Sequence, residues 1–366
     1  MDGFSDTGSI PVVSIKGFLD RKVGKASFCK QSSRGELMKI KEVSYGCFNE
    51  FFQKEIYDGV ITKFRGDYIF RGQPTNEWKL TPSALRIDNK GKLFRGHEPI
   101  ADQWDTEEWQ TRAELQLLID FYKSANNSGL AIPYSERISK YYLNMFSGLD
   151  FDISPVGHIW PPTELTHLAA LAQHYGVITR LLDWTQDIFV SLYFASKDAI
   201  SRGGCATDNG ESCKRQWQGD TIVVWAIWSS QIQFLSRTTS AIPLKFIVPP
   251  YNENPNLNAQ KGVLSYWEIY IESTLEKMNK YPNGDFYLTR TNRQSLDELL
   301  QPYLQNESDE FVVLYKFNIP VTECCKIYEK VKQFGYSAST LFPGYYGVAR
   351  QLEEDVSFYK LSEKLR

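Results

Sequence analysis

The sequence predicts an α+β protein in which helices flank a mixed β-sheet. Strand-like runs at 221–228, 244–248 and 310–317, of which the first is the most continuous, are rich in β-branched and aromatic residues, which is typical of buried strands. Between such runs lie segments with helical spacing, the clearest at 107–124 and 163–176. Because strands and helices intermingle and no internal repeat divides the chain, one α+β domain is expected.

Two parts of the chain depart from this domain pattern. Residues 1–43 form an N-terminal lead or arm in which the strand pattern fades, and residues 201–219 are a polar insertion. The domain itself is expected to span 44–366. It ends in three C-terminal helices, near 294–305, 321–334 and 345–365.

Composition narrows the class of protein. The 366 residues carry a net charge of −3, which disfavours a nucleic-acid-binding role. No apolar run is long enough for a membrane helix, and the acidic start lacks the features of a signal peptide, so membrane association is not expected. The six cysteines form no disulfide framework and fit a reducing cytoplasm, the predicted location.

One segment places an arginine at the end of a predicted strand, 67–72. Arg71 stands before Gly72, which permits close approach of a ligand to the backbone. A guanidinium there can bind a carboxylate or a phosphate through two hydrogen bonds. The alternative is that Arg71 pairs structurally with an acid such as Asp183.

A second cluster lies on a predicted strand at 178–184. Alternation puts Arg180 and Trp184 on one face and Asp183 and Thr185 on the other. Asp183 and Thr185 can then share a polar face, or either can cap the following helix. Trp184 fits a core position as well as a stacking one.

The preceding helix ends in a histidine and a tyrosine. His174 can bind the last free carbonyls of that helix, or it can act as an acid, a base or a ligand contact, since imidazole titrates near neutrality. Tyr175 follows it. The four histidines show no metal-binding spacing, and Cys205 and Cys213 have no histidine nearby, so no metal is expected.

These segments carry a resemblance to a known family. Phe70-Arg71-Gly72 resembles the motif that names the FRG-domain family. The run from Gln173 to Thr185, with Leu192-Tyr193-Phe194-Ala195 after it, is close to that family's most recognisable segment. Weaker similarity at 258–264 and 341–349 extends the resemblance over about 44–350. The family is typical of bacteria and phages, and membership implies a fold and a pocket more than a reaction.

The order of elements also resembles that of ADP-ribosyltransferases of the Arg-Ser-Glu type. The resemblance implies NAD as cofactor, with Arg71 and Gly72 gripping the dinucleotide and Thr185 at the Ser/Thr position. Gln260 stands where that fold has a late glutamate, and Glu253 and Glu268 are nearby substitutes. The implied activity is ADP-ribosyl transfer or NAD glycohydrolysis, in a toxin or effector of bacteria–phage conflict.

The alternative is a non-catalytic module that senses a nucleotide or a peptide, because the late position lacks a charged acid. Its protein or nucleotide target is left open. These interpretations give two sets of candidate residues, one catalytic and one ligand-binding. The predicted catalytic residues are Arg71, Asp183, Thr185 and Gln260. The predicted ligand-binding residues are Arg71, Gly72, Gln73, His174, Tyr175, Arg180, Trp184 and Asn258.

Overall fold

The computed structural model of the chain describes ten stretches of residues. They are 39–63, 66–89, 93, 105–140, 158–204, 221–238, 242–251, 254–280, 290–303 and 312–365. Most of the predicted lead and nearly all of the predicted insertion, from residue 205 on, lie outside them. The second half of a helix that the sequence also predicts, at 134–146, lies outside them as well.

A seven-stranded mixed sheet forms the centre of the fold. The strand order is β1-β9-β5-β2-β4-β7-β6, with β1 parallel to β9 and every other pair antiparallel. β3 and β8 form a separate two-stranded sheet. The strands are β1 (Lys39–Ser44), β2 (Tyr68–Gln73), β3 (His158–Trp160), β4 (Leu182–Thr185), β5 (Thr221–Trp228), β6 (Leu244–Ile247), β7 (Gly262–Trp267), β8 (Ile269–Ile271) and β9 (Val312–Pro320).

Helices cover both faces of the sheet, and the predicted α+β class is confirmed. Short 3-10 turns join some of the elements, and α1 continues into a π-helix at Phe52–Tyr57. The α-helices are α1 (Phe48–Phe51), α2 (Val60–Lys63), α3 (Glu107–Asn127), α4 (Glu136–Lys140), α5 (Thr166–His174), α6 (Ile188–Gly204), α7 (Ser229–Thr238), α8 (Pro255–Ala259), α9 (Thr274–Lys280), α10 (Leu296–Leu300), α11 (Cys324–Gln333), α12 (Ala338–Leu341) and α13 (Tyr345–Leu365).

The sequence located most of these elements and misplaced a few. β5 and α13 lie where they were predicted. The strand predicted at 178–184 is shorter and begins at Leu182, and β7 was not predicted. Residues 39–43, which the sequence assigned to the lead, belong to the edge strand β1 and pair with β9.

Three apolar clusters hold the layers together. The first lies between the sheet and the helices α6, α11 and α13. The second covers the opposite face of the sheet and includes apolar side chains of α7 and α10. The third joins α3 and α5 to β7. β5 and β9 are buried on both faces, which explains why both are mostly apolar; β9 is interrupted only by Lys316 and Asn318.

Gly72 allows β2 and α6 to pack backbone against backbone. A Cβ atom at this position would lie 1.9 Å from the carbonyl oxygen of Ser191 and 3.0 Å from the amide nitrogen of Ala195. The backbone that approaches Gly72 closely is therefore that of helix α6. The glycine of the Phe-Arg-Gly triplet thus has a packing reason that the sequence argument did not supply.

We expect Gly72→Ala to lower the free energy of unfolding by about 1–3 kcal/mol, because helix and strand must separate to admit the methyl group. Urea denaturation measures this. Gly46→Ala is the matched control, since a Cβ there meets only Glu50 Oε2, at 3.5 Å. Equal losses in the two variants would contradict the packing argument.

Candidate functional site

An open cleft of 410 Å³ lies beside the centre of the sheet. β2, β4, β7 and the helices α5, α6 and α13 contribute to its walls. Seven residues that the sequence singled out line it together: Arg71, Gly72, His174, Asp183, Trp184, Thr185 and Gln260. Two segments far apart in sequence, around Arg71 and around Asp183, therefore meet at one opening.

The position of Arg71 follows from a break in strand pairing. β2 and β4 share a single registered pair, Phe70 with Thr185, and the ladder stops there. The carbonyl oxygen of Asp183 accepts a hydrogen bond from Arg71 Nη1 at 2.7 Å instead. The same Nη1 lies 3.7 Å from Asp183 Oδ2. The guanidinium is thus anchored to the backbone of the neighbouring strand.

Arg71 retains capacity to bind a ligand. Its Nε is buried and has no hydrogen-bond partner in the part of the chain that the structure describes. Burial lowers the pKa of Arg71, and Asp183 opposes that shift. A guanidinium has five N–H donors, and the described contacts of Arg71 use Nη1 alone. A bound anion would satisfy donors that the protein leaves open.

Asp183 presents its carboxylate to solvent at the rim of the cleft. Its side chain is 66% exposed, so the Arg71–Asp183 contact is not a buried ion pair. Gln173 Nε2 donates to Asp183 Oδ1 at 2.5 Å, and Thr179 Oγ1 donates to Gln173 Oε1. Gln173 also lines the cleft and orients the carboxylate, a role that the sequence analysis did not assign to it.

His174 is the last residue of α5, and its ring contacts another chain segment rather than the helix carbonyls. Nε2 lies 3.1 Å from Asn256 Nδ2. Because the amide nitrogen donates, Nε2 accepts, and the neutral ring carries its proton on Nδ1. Tyr175 meets the ring edge-on at 5.2 Å but is 66% exposed and lies outside the cleft lining.

The pKa of His174 is lowered because burial disfavours the imidazolium, and Asp183 offsets part of the shift. The unfolded chain therefore binds this proton more tightly than the folded chain. The free energy of unfolding is therefore highest, as far as this group is concerned, above the ordinary pKa of 6.5, and it falls as the pH falls toward the lowered pKa of the folded state.

We expect His174→Gln to reduce the fall in the free energy of unfolding between about pH 7 and pH 5, measured by urea titration. The exposed His167 of the same helix is the control, and equal flattening by His167→Gln would contradict this cause.

Thr185 ties β4 to the turn before β7. Its Oγ1 donates to the carbonyl oxygen of Gln260 at 2.7 Å and accepts from the amide of Asp187 at 3.0 Å. Asp187 Oδ1 accepts from the amide of Phe189 at 3.0 Å. The carboxylate that caps α6 is thus Asp187, so capping does not account for Asp183.

Gln260 has one end of its side chain fixed. Nε2 donates to the carbonyl oxygen of Leu341 at 3.1 Å. Asn258, two residues earlier, is exposed on α8 and does not line the cleft. Of the two substitutes considered for the late acid, Glu268 lies 3.5 Å from Lys245 and away from the cleft, and Glu253 lies outside the described residues.

A second arginine reaches the cleft from the C-terminal helix α13. Arg350 was not predicted as a site residue. Its guanidinium carbon lies 4.3 Å from the ring centre of Phe342, and its Nε donates to Glu354 Oε1 at 3.1 Å. Glu354 is 8% exposed and also accepts from the Tyr193 hydroxyl at 2.7 and 2.8 Å. Stacking and ion pairing together fix Arg350 beside the opening.

Besides Tyr175 and Asn258, two further predicted ligand-binding residues lie outside the cleft. Arg180 is buried, with Nε 2.8 Å from Glu114 Oε1 and Nη2 2.6 Å from Glu107 Oε2. Burial alone would lower the pKa of Arg180, but Glu114 and Glu107 raise it above its ordinary value. Gln73 is also buried and accepts from Trp225 Nε1 at 2.9 Å. Both side chains join elements of the scaffold and do not line the cleft.

Trp184 is both a core residue and part of the cleft lining. The side chain is 3% exposed, and Nε1 donates to Ser265 Oγ at 2.7 Å.

In the described stretches, no three His, Cys, Asp or Glu side chains are grouped so that they could hold a metal ion. No helix in those stretches is long and apolar enough to cross a membrane.

The fold and the cleft define an α+β protein with an arginine-lined pocket at a break in its central sheet. The family model for the FRG domain matches residues 66–203. The chain therefore contains an FRG domain, and that domain includes Arg71, His174 and Asp183. Gln260 and Arg350 lie beyond the matched segment. A search of the curated proteins gave no match, and a search of the solved structures gave none either.

Proposed function

We propose that the cleft binds the pyrophosphate of an NAD-type dinucleotide and that the protein cleaves it, as an NAD glycohydrolase or an ADP-ribosyltransferase. One observation carries the proposal: two fixed guanidinium groups, Arg71 and Arg350, line a single open cleft. A pyrophosphate carries negative charge on two adjacent groups, and arginine binds phosphate oxygens in pairs.

The two fixed arginines and the size of the cleft favour such a ligand. Arg71 is anchored through Nη1 and leaves further donors for phosphate oxygens. Arg350 is held over Phe342 and by Glu354, so little conformational entropy remains to be lost on binding. The cleft volume of 410 Å³ falls within the range of about 300–1,000 Å³ that is usual for small-molecule sites.

Asp183 is the group that we assign to the chemical step. Cleavage breaks the bond between the ribose C1′ and the nicotinamide nitrogen, and nicotinamide leaves with the bonding electrons. The positive charge that develops at C1′ is stabilised by a nearby carboxylate. Asp183 supplies that charge at the rim, with Gln173 orienting it. Water or an acceptor nucleophile then bonds to C1′ and releases a proton.

Gln260 fits a supporting role in this scheme. Its Nε2 is already bound to the carbonyl of Leu341, which leaves Oε1 as an acceptor for a ribose hydroxyl. A neutral amide contributes orientation but no charge. Under this proposal the acid of the reaction comes from β4, through Asp183, instead of from the late position.

The test is release of nicotinamide from NAD⁺ by the purified protein, alone and with bacterial lysate as a source of acceptors. We expect Asp183→Asn to lower the rate by about 10²–10³-fold. Asp198→Asn is the matched control because, among the described residues, Asp198 is the second carboxylate that lines the cleft, and the loss of rate is expected to be small. Equal rates in the native protein and in Asp183→Asn would refute the assigned chemistry.

A non-catalytic sensor is the second candidate, and the composition of the cleft favours it. No glutamate is among the described residues that line the cleft, and Gln260 stands at the late position. Such a sensor would bind NAD⁺ or ADP-ribose in bacteria–phage conflict without turning it over. Stabilisation against heating by either ligand, with no nicotinamide released, would favour this candidate.

A further inference from the structure

The outer face of α13 carries an apolar stripe. Tyr345, Val348, Leu352, Val356 and Tyr359, here called the α13 stripe, are 97%, 51%, 65%, 52% and 63% exposed. At 3.6 residues per turn they fall within about 80° of the helix circumference and span about 20 Å of its length. The opposite face holds the helix to the domain through Glu354, Phe358 and Leu361.

The α13 stripe reads the same in both directions about its centre. Two tyrosines stand seven residues on either side of Leu352, and two valines stand four residues on either side. In two copies that pair antiparallel about a two-fold axis beside the centre, each position lies opposite the position equally far on the other side. Every contact along the stripe would then join two apolar side chains, and no charge would be buried.

The exposed area is also of the size that a dimer uses. A tyrosine side chain can bury about 150–250 Å², so the α13 stripe offers on the order of 500 Å² per copy. A standard interface buries about 800 Å² per partner. The stripe therefore supplies more than half of such an interface from one helix, and neighbouring residues such as the 68%-exposed Tyr346 extend it.

We propose that α13 packs antiparallel against α13 of a second copy of this chain, across a two-fold axis that passes beside Leu352. Leu352 of each copy meets its counterpart at the centre. Val348 packs on Val356 of the other copy, and Tyr345 packs on Tyr359. The spacing of three and four residues along the stripe is that of helices that pack side by side. Arg350 and the cleft belong to the inner side of α13, so this surface is separate from the candidate site.

The first test is the mass of the full chain in solution, by light scattering and by sedimentation over a dilution series. We expect a dimer for the native protein and a monomer for Leu352→Glu, which places two carboxylates together at the axis. Leu130→Glu is the matched control because Leu130 is equally exposed, at 63%, and it should stay dimeric. A native monomer, or a dimer that survives Leu352→Glu, would overturn the proposal.

The second test fixes the direction of the helices and does not depend on a disruptive variant. Val348→Cys and Val356→Cys chains are mixed and oxidised, and the cross-linked products are analysed by mass spectrometry. Antiparallel pairing predicts disulfides that join a Val348→Cys chain to a Val356→Cys chain, and few disulfides between two copies of the same variant. Disulfides mainly between copies of the same variant, or none joining these positions, would overturn the antiparallel arrangement.

Discussion

Replacing Arg180 by methionine is expected to lower the free energy of unfolding by about 3–5 kcal/mol. The guanidinium bonds two carboxylates, Glu107 and Glu114, and all three side chains are buried. Methionine fills much of the same space, so the loss comes from the two acids that remain. They must either keep uncompensated charge in the interior or bind protons to lose it.

The other contacts of the two acids link further elements of the fold to Arg180. Trp160 Nε1 donates to Glu114 Oε2 at 2.7 Å, and the amide of Asn292 donates to Glu107 Oε1 at 2.7 Å. Arg180 therefore holds α3, β3 and the segment before α10 to the strand region at 180–185. Lys245→Met is the control, because its pair with Glu268 is 3.5 Å long and 44% exposed on the lysine side. Its effect should stay within about 0.5 kcal/mol, and a similar loss in both variants would contradict the argument.

Arg71→Ala is expected to weaken the binding of NAD⁺ by about 10–100-fold. A hydrogen bond to a charged group contributes about 1.5–3 kcal/mol, which corresponds to that range. Isothermal titration calorimetry measures the change. The variant also loses the anchor on the carbonyl of Asp183, so thermal unfolding is followed in parallel to detect a change in stability.

The control for Arg71→Ala is Arg202→Ala. Arg202 lies on α6 near Asp198, and its guanidinium carbon is 5.6 Å from the ring centre of Trp78, outside the cleft lining. The Arg202→Ala variant loses the same charge as Arg71→Ala, but no residue that lines the cleft is changed. If both variants lose affinity equally, the effect belongs to the overall field of the protein and the assigned contact is wrong.

Much of the cleft could be predicted from local patterns. Arg71 on β2 and Asp183 on β4 both line the opening, although β2 continues past Arg71 to Gln73 instead of ending at Gly72. Gly176, just after α5, has φ of 91°, the left-handed conformation that glycine commonly adopts at the C-terminus of a helix. These features are local, so a few neighbouring residues are enough to specify them.

Arg180 shows where local reasoning stopped. It belongs to the most recognisable run of the sequence, and strand alternation put it on a face with Trp184. The residues before Leu182 are not in the strand, and the partners of Arg180 lie on α3, far away in the sequence. A buried acid is not distinguishable from an exposed one in a helix pattern, so the sequence did not indicate that Glu107 and Glu114 are buried partners of Arg180.

Arg350 and β7 were missed for related reasons. Arg350 has Glu354 four residues later, a spacing that is typical of solvent-exposed helical pairs. β7 is short and almost wholly buried, so its sequence lacks the alternation of a one-sided strand. In both cases the decisive contacts come from the tertiary fold. The nearest sequence signal was the similarity at 258–264 and 341–349, which flags both neighbourhoods without giving a structure.

The most direct test of the central claim is ³¹P NMR of ADP-ribose during titration with the native protein and with Arg71→Ala/Arg350→Ala. If both arginines bind the pyrophosphate, the two phosphorus resonances will shift or broaden with the native protein and will stay near their free positions with the double variant. Resonances that respond equally to both proteins, or that stay unchanged with the native protein, would contradict a pyrophosphate site in this cleft.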